Sequence, residues 1–172
     1  VGGVEEHVRR VASELRDCGI DVVVWTVDQG DDVPEELDGI RVRALPCPMP
    51  ARSLRAVISF AWRLPGAALQ WRRMLRRDRP RILHVHCFGP NGVWATAIAR
   101  IARIPFIVTS HGETFGDANG VFDQSALLRS SLRSALATAD AVTACSAFTA
   151  HDLESRFELS PGLASIIANG VD

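Results

Sequence analysis

The chain has 172 residues, of which 47% are hydrophobic and 23% charged, with a formal net charge of −1. This length suits one domain able to bury a proper core, and the composition is that of a soluble globular protein. No apolar run reaches the roughly 18 residues of a membrane span, and Glu5, Glu6, Arg9 and Arg10 break the only place a signal peptide would sit.

Val4, Val8, Val11, Ala12 and Leu15 recur at helical spacing after Gly2-Gly3, which predicts an amphipathic helix over about 4–18 stopped by Gly19. Asp21 to Val27 is β-branched and apolar and is expected to be a buried strand. After a polar loop, Ile40, Val42 and Ala44 alternate with Arg41 and Arg43, the pattern of an edge or half-exposed strand. Pro46 to Pro50 is a stiff extended linker. Residues 52–78 have helical character, with a break expected at Pro65-Gly66.

Further along, the expected elements are a strand over 82–86, a helix over 91–103 and a strand over 105–110. A helix over 125–139, a strand over 141–145, a helix over 147–157 and a strand over 164–168 complete the order. Short strands alternating with helices predict an α/β fold, Rossmann-like, with a doubly wound parallel sheet covered on both faces. In such a fold the glycine turn that opens the first helix follows the central first strand. Only Val1 precedes Gly2, so that strand is expected to be absent from the sequence.

Cys18, Cys47, Cys87 and Cys145 form no C-x-x-C pair, which gives zinc and redox motifs no support and fits reduced structural thiols in a cytoplasmic protein. All nineteen basic residues are arginine. Residues 1–40 hold eleven acids against three arginines, whereas residues 41–81 hold eleven arginines against Asp78 alone. The 52–81 part of this arginine block is either a solvated helix face or a patch for an anionic partner such as a membrane surface. Nucleic acid is not expected, because aromatic residues are sparse within the block and no known module is present.

Ligands of open α/β sheets bind beyond the carboxyl ends of the strands, so the loops there are the places to look. Gly2-Gly3 at a helix N-terminus favours a phosphate, although a lone Gly-Gly is as readily a plain tight turn. His84 and His86 share one strand face, but no third ligand of the right type lies nearby in the sequence, so no metal is expected. His86, at the strand end, is placed to line a pocket. His111-Gly112 at a strand's carboxyl end, with Glu113, is placed to meet a hydroxyl-rich ligand, although a lone His-Gly is as readily structural. Ser146 follows another strand, and Asn169 to Asp172 is a closing turn. No G-x-S-x-G or marked Ser, His and acid set supports a nucleophilic hydrolase.

Read in order, these segments resemble those of the family-4 retaining glycosyltransferases of GT-B fold. Gly2-Gly3-Val-Glu5-Glu-His7-Val8 with the strand ending at Thr26 is similar to the first loop, helix and second strand of that family. Ile82 to His86, Val108-Thr-Ser-His111-Gly112 and Ala139 to Ser146 resemble the three strands that follow. Ile167-Ala-Asn-Gly-Val-Asp172 resembles the hinge into the second domain, with Ala168 where proline is usual.

The resemblance implies an N-terminal, acceptor-side domain over 1–168 and a hinge beginning at 169–172. Gly2 and Gly3 would face the donor diphosphate, and His111 would act at the donor sugar as the catalytic group. His86, Asn91, Gly112, Glu113, Thr114, Ser146 and Asn169 would border the acceptor or sugar. Glu5 and His7 would serve helix start and packing. The resemblance further implies a nucleotide-sugar donor, a glycan, lipid-linked or small-molecule acceptor, no metal, and a cytoplasmic or inner-membrane-face location. The donor half would lie in a second domain, so these 172 residues alone are expected to be inactive. A non-catalytic sugar- or lipid-binding domain and a sugar-nucleotide epimerase of the same fold are the alternatives.

Overall fold

The computed structural model describes residues 3–51, 53–116 and 120–170. They divide into two compact units, one formed by Val8–Pro80 and the other by Arg81–Asp172 together with Val1–His7. No helix among the described residues is long and apolar enough to cross a membrane.

Helix α1 covers Gly3–Asp17, with Glu5 and Glu6 in its first turn and Arg16 in its last, charges that suit the two ends of the helix dipole. Gly19 ends it as expected. At φ +81 it donates to the Arg16 carbonyl while Ile20 donates to Leu15, and this pair of bonds closes the last turn of a helix around a left-handed residue.

In the unit Val8–Pro80, strand β1 (Val23–Val27) pairs in parallel with β3 (Ile40–Leu45), Val24 lying opposite Val42. A two-residue strand, β2 (Glu36–Leu37), runs antiparallel along the other side of β3. The sheet order is therefore β1-β3-β2. The edge position expected for the Ile40 strand is corrected: β3 is the middle strand, half-exposed along its length and buried at Ile40 and Leu45. The cause is local. Asp38 and Gly39 both have positive φ, which makes the two-residue turn whose twist matches a hairpin and folds β2 back onto β3.

Helix α2 runs unbroken over Leu54–Asp78 with Pro65 inside it, so the break expected at Pro65-Gly66 does not occur. Pro65 and Ala61 both lie at exposed positions, where water can bond the carbonyl that proline leaves without a partner. Packing holds the helix after that point, where Ala67 and Trp71 are buried. Ser53 caps its start, accepting from the Ala56 N–H at 3.2 Å. Buried Trp71 donates to the Pro46 carbonyl at 2.9 Å and meets Trp25 edge to face, with ring centroids 5.6 Å apart.

The second unit is built on a parallel sheet in the order β4-β5-β6-β7, formed by Leu83–His86, Phe106–Ser110, Ala141–Ala144 and Ala164–Ile166. The connections are α3 (Pro90–Ala102), two short helices α4 (Glu113–Gly116) and α5 (Val121–Gln124) leading into α6 (Ala126–Leu136), and α7 (Ala147–Phe157). Val85, Val108, Val142 and Ala144 on the strands are buried, as are Leu132, Ala135, Leu153 and Phe157 on the helices. This is the Rossmann-like arrangement that the alternation predicts. The short helices α4 and α5 were not expected, since neither carries enough residues for a helical period to show. The seven strands among the described residues form two sheets rather than one.

One glycine in this unit is dictated by packing. A Cβ at Gly92 would lie 2.4 Å from the ring of Phe88, which is buried at 2% exposure. Helix α3 therefore approaches the loop after β4 as closely as it does because it has no side chain there.

Candidate functional site

Because β4, β5 and β6 are parallel, their carboxyl ends open on one side of the sheet and deliver His86, His111 and Ser146 to the same region. His86 lies opposite Thr109 across the ladder and His111 follows Ser110, so the two imidazoles leave adjacent strands side by side. His86 Nδ1 and His111 Nε2 are 3.0 Å apart and the rings are stacked, with centroids 5.3 Å apart. On its other side His111 Nδ1 lies 3.1 Å from Oδ1 of Asn169. One proton arrangement satisfies both contacts: His111 donates from Nδ1 to Asn169 and accepts at Nε2 from His86.

His7, from the first turns of α1, sets its ring edge-on to His111 with centroids 5.1 Å apart and tilted against His86 at 5.9 Å. The packing role expected of His7 is thus a contact with the site rings themselves. His84, two residues before His86, lies tilted against it with centroids 4.1 Å apart and has its Nε2 2.6 Å from Thr109 Oγ1. The fold supplies what sequence spacing did not show. Ligand nitrogens of His7, His86 and His111 all lie within 4.8 Å of one another.

Crowding and burial keep the rings of His86 and His111 uncharged. Burial, followed by the neighbouring His84, His111 and His7, depresses the His86 pKa to about 3. His111 is also lowered, mainly by burial and further by His7, while Glu113 and the Asn169 hydrogen bond oppose the shift. Neutral imidazoles result near pH 7, each with one N–H to give and one lone pair to receive.

Glu113 holds the loop that carries His111. Its Oε2 accepts from the His111 N–H at 2.8 Å and from Ser110 Oγ at 3.0 Å, and its Oε1 accepts from the Phe88 N–H at 3.0 Å. One carboxylate thereby ties the β5 loop to the β4 loop. Gly112, buried and at φ +93, permits the sharp turn between His111 and Glu113.

The other predicted positions are placed as follows. Asn91 donates from Nδ2 to the carbonyls of His86 and Cys87 at 3.4 and 3.3 Å, bracing the end of β4. Thr114 is buried and donates to Asp152 on α7 at 2.6 Å. Ser146 caps α7, accepting from the Thr149 N–H at 3.1 Å. Gly3 is the exposed first residue of α1, with open space where a Cβ would stand. Gly2, Arg52, Val171 and Asp172 lie outside the described residues. Ser110, fully buried and bonded to Glu113, is a supporting residue that the sequence did not single out. Its position one residue before His111 was the only available signal.

The whole chain, residues 1–172, matches the family model described as Glycosyltransferase Family 4. The chain belongs to glycosyltransferase family 4. A relative from Streptomyces fradiae, a 2-deoxystreptamine N-acetyl-D-glucosaminyltransferase, is 28% identical over 184 residues. The alignment takes in 99% of this chain and 43% of the relative, so the chain spans less than half the length of the relative it matches. A glycosyltransferase domain of this family thus gathers its imidazoles, one acidic brace and a helix N-terminus in a single unit.

Proposed function

We propose that this family-4 domain supplies the acceptor side of a sugar transfer from a nucleotide-sugar donor, with retention of configuration at the anomeric carbon. The observation that carries the reading is the neutral His111 imidazole, fixed between His86 and Asn169 at a strand's carboxyl end. With its Nδ1–H held by Asn169, the ring has its Nε2 lone pair to accept from a sugar hydroxyl in place of His86, and a neutral ring adds no charge there. The N-terminus of α1, opening on Gly3 and preceded by Gly2, is suited to the donor diphosphate, since free N–H groups and the helix dipole both favour an anion there.

In the proposed reaction the bond from the anomeric carbon to the diphosphate oxygen breaks and a bond to the acceptor oxygen forms on the same face. The acceptor proton passes to the departing diphosphate. No metal is required, because the charge that develops is borne by fixed donors. His111 touches the donor sugar. His86, Asn169 and Gly112 border it or orient it, while Asn91, Glu113, Thr114 and Ser146 hold the loops around the acceptor. The donor nucleotide would be gripped by residues beyond this domain, so the 172 residues alone sustain no turnover.

The Streptomyces fradiae relative, named for 2-deoxystreptamine, supports a small hydroxyl-bearing acceptor. A lipid-linked acceptor at the inner membrane face is favoured by one separate observation. Helix α2 exposes Leu54, Ile58, Trp62 and Leu69 beside Arg72 and Arg76, a stripe suited to an anionic bilayer. Co-sedimentation of the intact protein with liposomes at low and high salt separates the two, since binding that ignores lipid charge removes the second.

The reading as a whole is tested by screening nucleotide sugars against the intact protein in the presence of a chelator and determining the anomeric configuration of the product. Transfer with inversion, or a rate that survives His111→Ala, would overturn it.

A further inference from the structure

We propose that His7, His86 and His111 together bind one divalent transition-metal ion, zinc foremost, and that the bound ion blocks the site. The three side chains are the only group of three or more ligand-bearing residues among the described residues whose donor atoms converge. Imidazole nitrogen is a good ligand for zinc, and three such ligands with a fourth position open is a common coordination for that ion.

The geometry is close to what coordination needs. Bonds of about 2.0–2.1 Å in a tetrahedron place neighbouring nitrogens roughly 3.3 Å apart. His86 Nδ1 and His111 Nε2 already stand 3.0 Å apart, and the His7 donor lies within the same 4.8 Å group. The two strand histidines are fixed by the parallel register of β4 and β5, and the proposed site has His7 on α1 turn towards them to complete the set. His86 need only carry its proton on Nε2 for both lone pairs to meet the ion.

The far side of His111 is also prepared. Its Nδ1 is held by Asn169 Oδ1, and a hydrogen bond on the distal nitrogen is the usual means by which a protein orients a metal-ligating imidazole. The fourth position stays open because the neighbouring candidates are committed. His84 Nε2 is against Thr109, and both oxygens of Glu113 accept from protein donors.

An ion held here takes the lone pair of His111, the atom the proposed transfer reaction uses at the sugar. This second half of the inference rests on that reading: zinc is an inhibitor of the transfer rather than its cofactor.

The test is calorimetric titration of the intact, chelator-stripped protein with zinc chloride, repeated with His7→Gln, His86→Gln and His151→Gln variants. Cobalt(II) absorption reports the geometry independently. The expected result is one saturable site with a four-coordinate cobalt spectrum. The two cluster variants should bind at least tenfold more weakly, since even outer-shell changes cost about 10- to 100-fold in metal affinity. His151, exposed on α7, should be indifferent. Should a cluster variant fail to fold by circular dichroism, the stoichiometry and cobalt spectrum of the unaltered protein still decide. Absence of saturable binding at millimolar zinc, or binding that persists in both folded cluster variants, overturns the site. Saturable zinc binding without loss of transfer, in a protein shown to be active with chelator present, overturns only the blocking role. Failure to find any transfer leaves the calorimetric result standing and counts against the proposed function instead.

Discussion

The Nδ1 of His86 and the Nε2 of His111 stand 3.0 Å apart at the ends of adjacent parallel strands, although 25 residues separate them in the chain. The contact runs on from His111 to Asn169, a further 58 residues away. Two strand ends and the segment after β7 therefore fix the orientation of a single neutral imidazole. The functional consequences are consequences of that chain of contacts.

His111→Ala should lower kcat by roughly 100- to 1,000-fold, the scale of losing one directed hydrogen bond at a transition state. Asn169 acts through His111 as a positioning residue, and its replacement separates that role from general structure. Asn169→Asp keeps the acceptor but adds a negative charge, which raises the His111 pKa. The acid limb of the kcat profile should move to higher pH in this variant. An unshifted limb would show that Asn169 does not govern His111.

Glu113 is expected to matter to stability as well as activity. Glu113→Ala strands two backbone N–H groups and the Ser110 hydroxyl that now bond to it. Losing charge-assisted bonds of this kind costs about 2–4 kcal/mol in total. Urea denaturation of the variant checks this directly. A drop in activity with no change in the midpoint would mean that Glu113 serves substrate alone.

Two glycine variants should behave differently. Gly92→Ala drives a methyl group into the buried Phe88 ring and is expected to cost about 1–3 kcal/mol through overpacking. The double variant with Phe88→Leu should recover part of that loss. At Gly112 the ring of Phe115, 2.9 Å from where a Cβ would stand, is exposed and free to move aside. The cost of Gly112→Ala is then the strain of φ +93, about 1 kcal/mol or somewhat more. Thermal melts of both variants, with and without the Phe88 change, provide the comparison.

Cys47 and Cys87 should resist alkylation at pH 9. Burial raises each thiol to about 12, with Asp28 adding to the shift at Cys47, and Glu113 and Cys145 at Cys87. The folded pKa lies above the unfolded value near 9, so the unfolded state releases its protons first. Native stability is unaffected below about pH 9 and declines as the pH rises from there towards about 12. Peptide mapping after iodoacetamide treatment should find exposed Cys18 modified and Cys47 and Cys87 intact until denaturant is added. Equal labelling of all three would refute the protection.

The alternation of β-branched runs with amphipathic helices determined the α/β class and nearly every main element, because the 2.0 and 3.6 residue periods are properties of the local sequence. Gly19 could likewise be read as a helix stop from its place after the last apolar position. The Asp38-Gly39 pair was equally local, and its hairpin signal was there to be read, yet β2 was too short to show any period of its own. Pro65 is the opposite case, a local breaker overruled because packing around Trp71 and an exposed carbonyl let the helix continue. The candidate site divides in the same way. His86, His111 and Asn169 were visible as residues at strand ends and in a turn. Their mutual distances, the convergence of His7 on them and the commitment of Glu113 to three donors were not. Those depend on strand register and on where α1 begins, and register is decided by which side chains bury together across the sheet, a property of the tertiary structure alone.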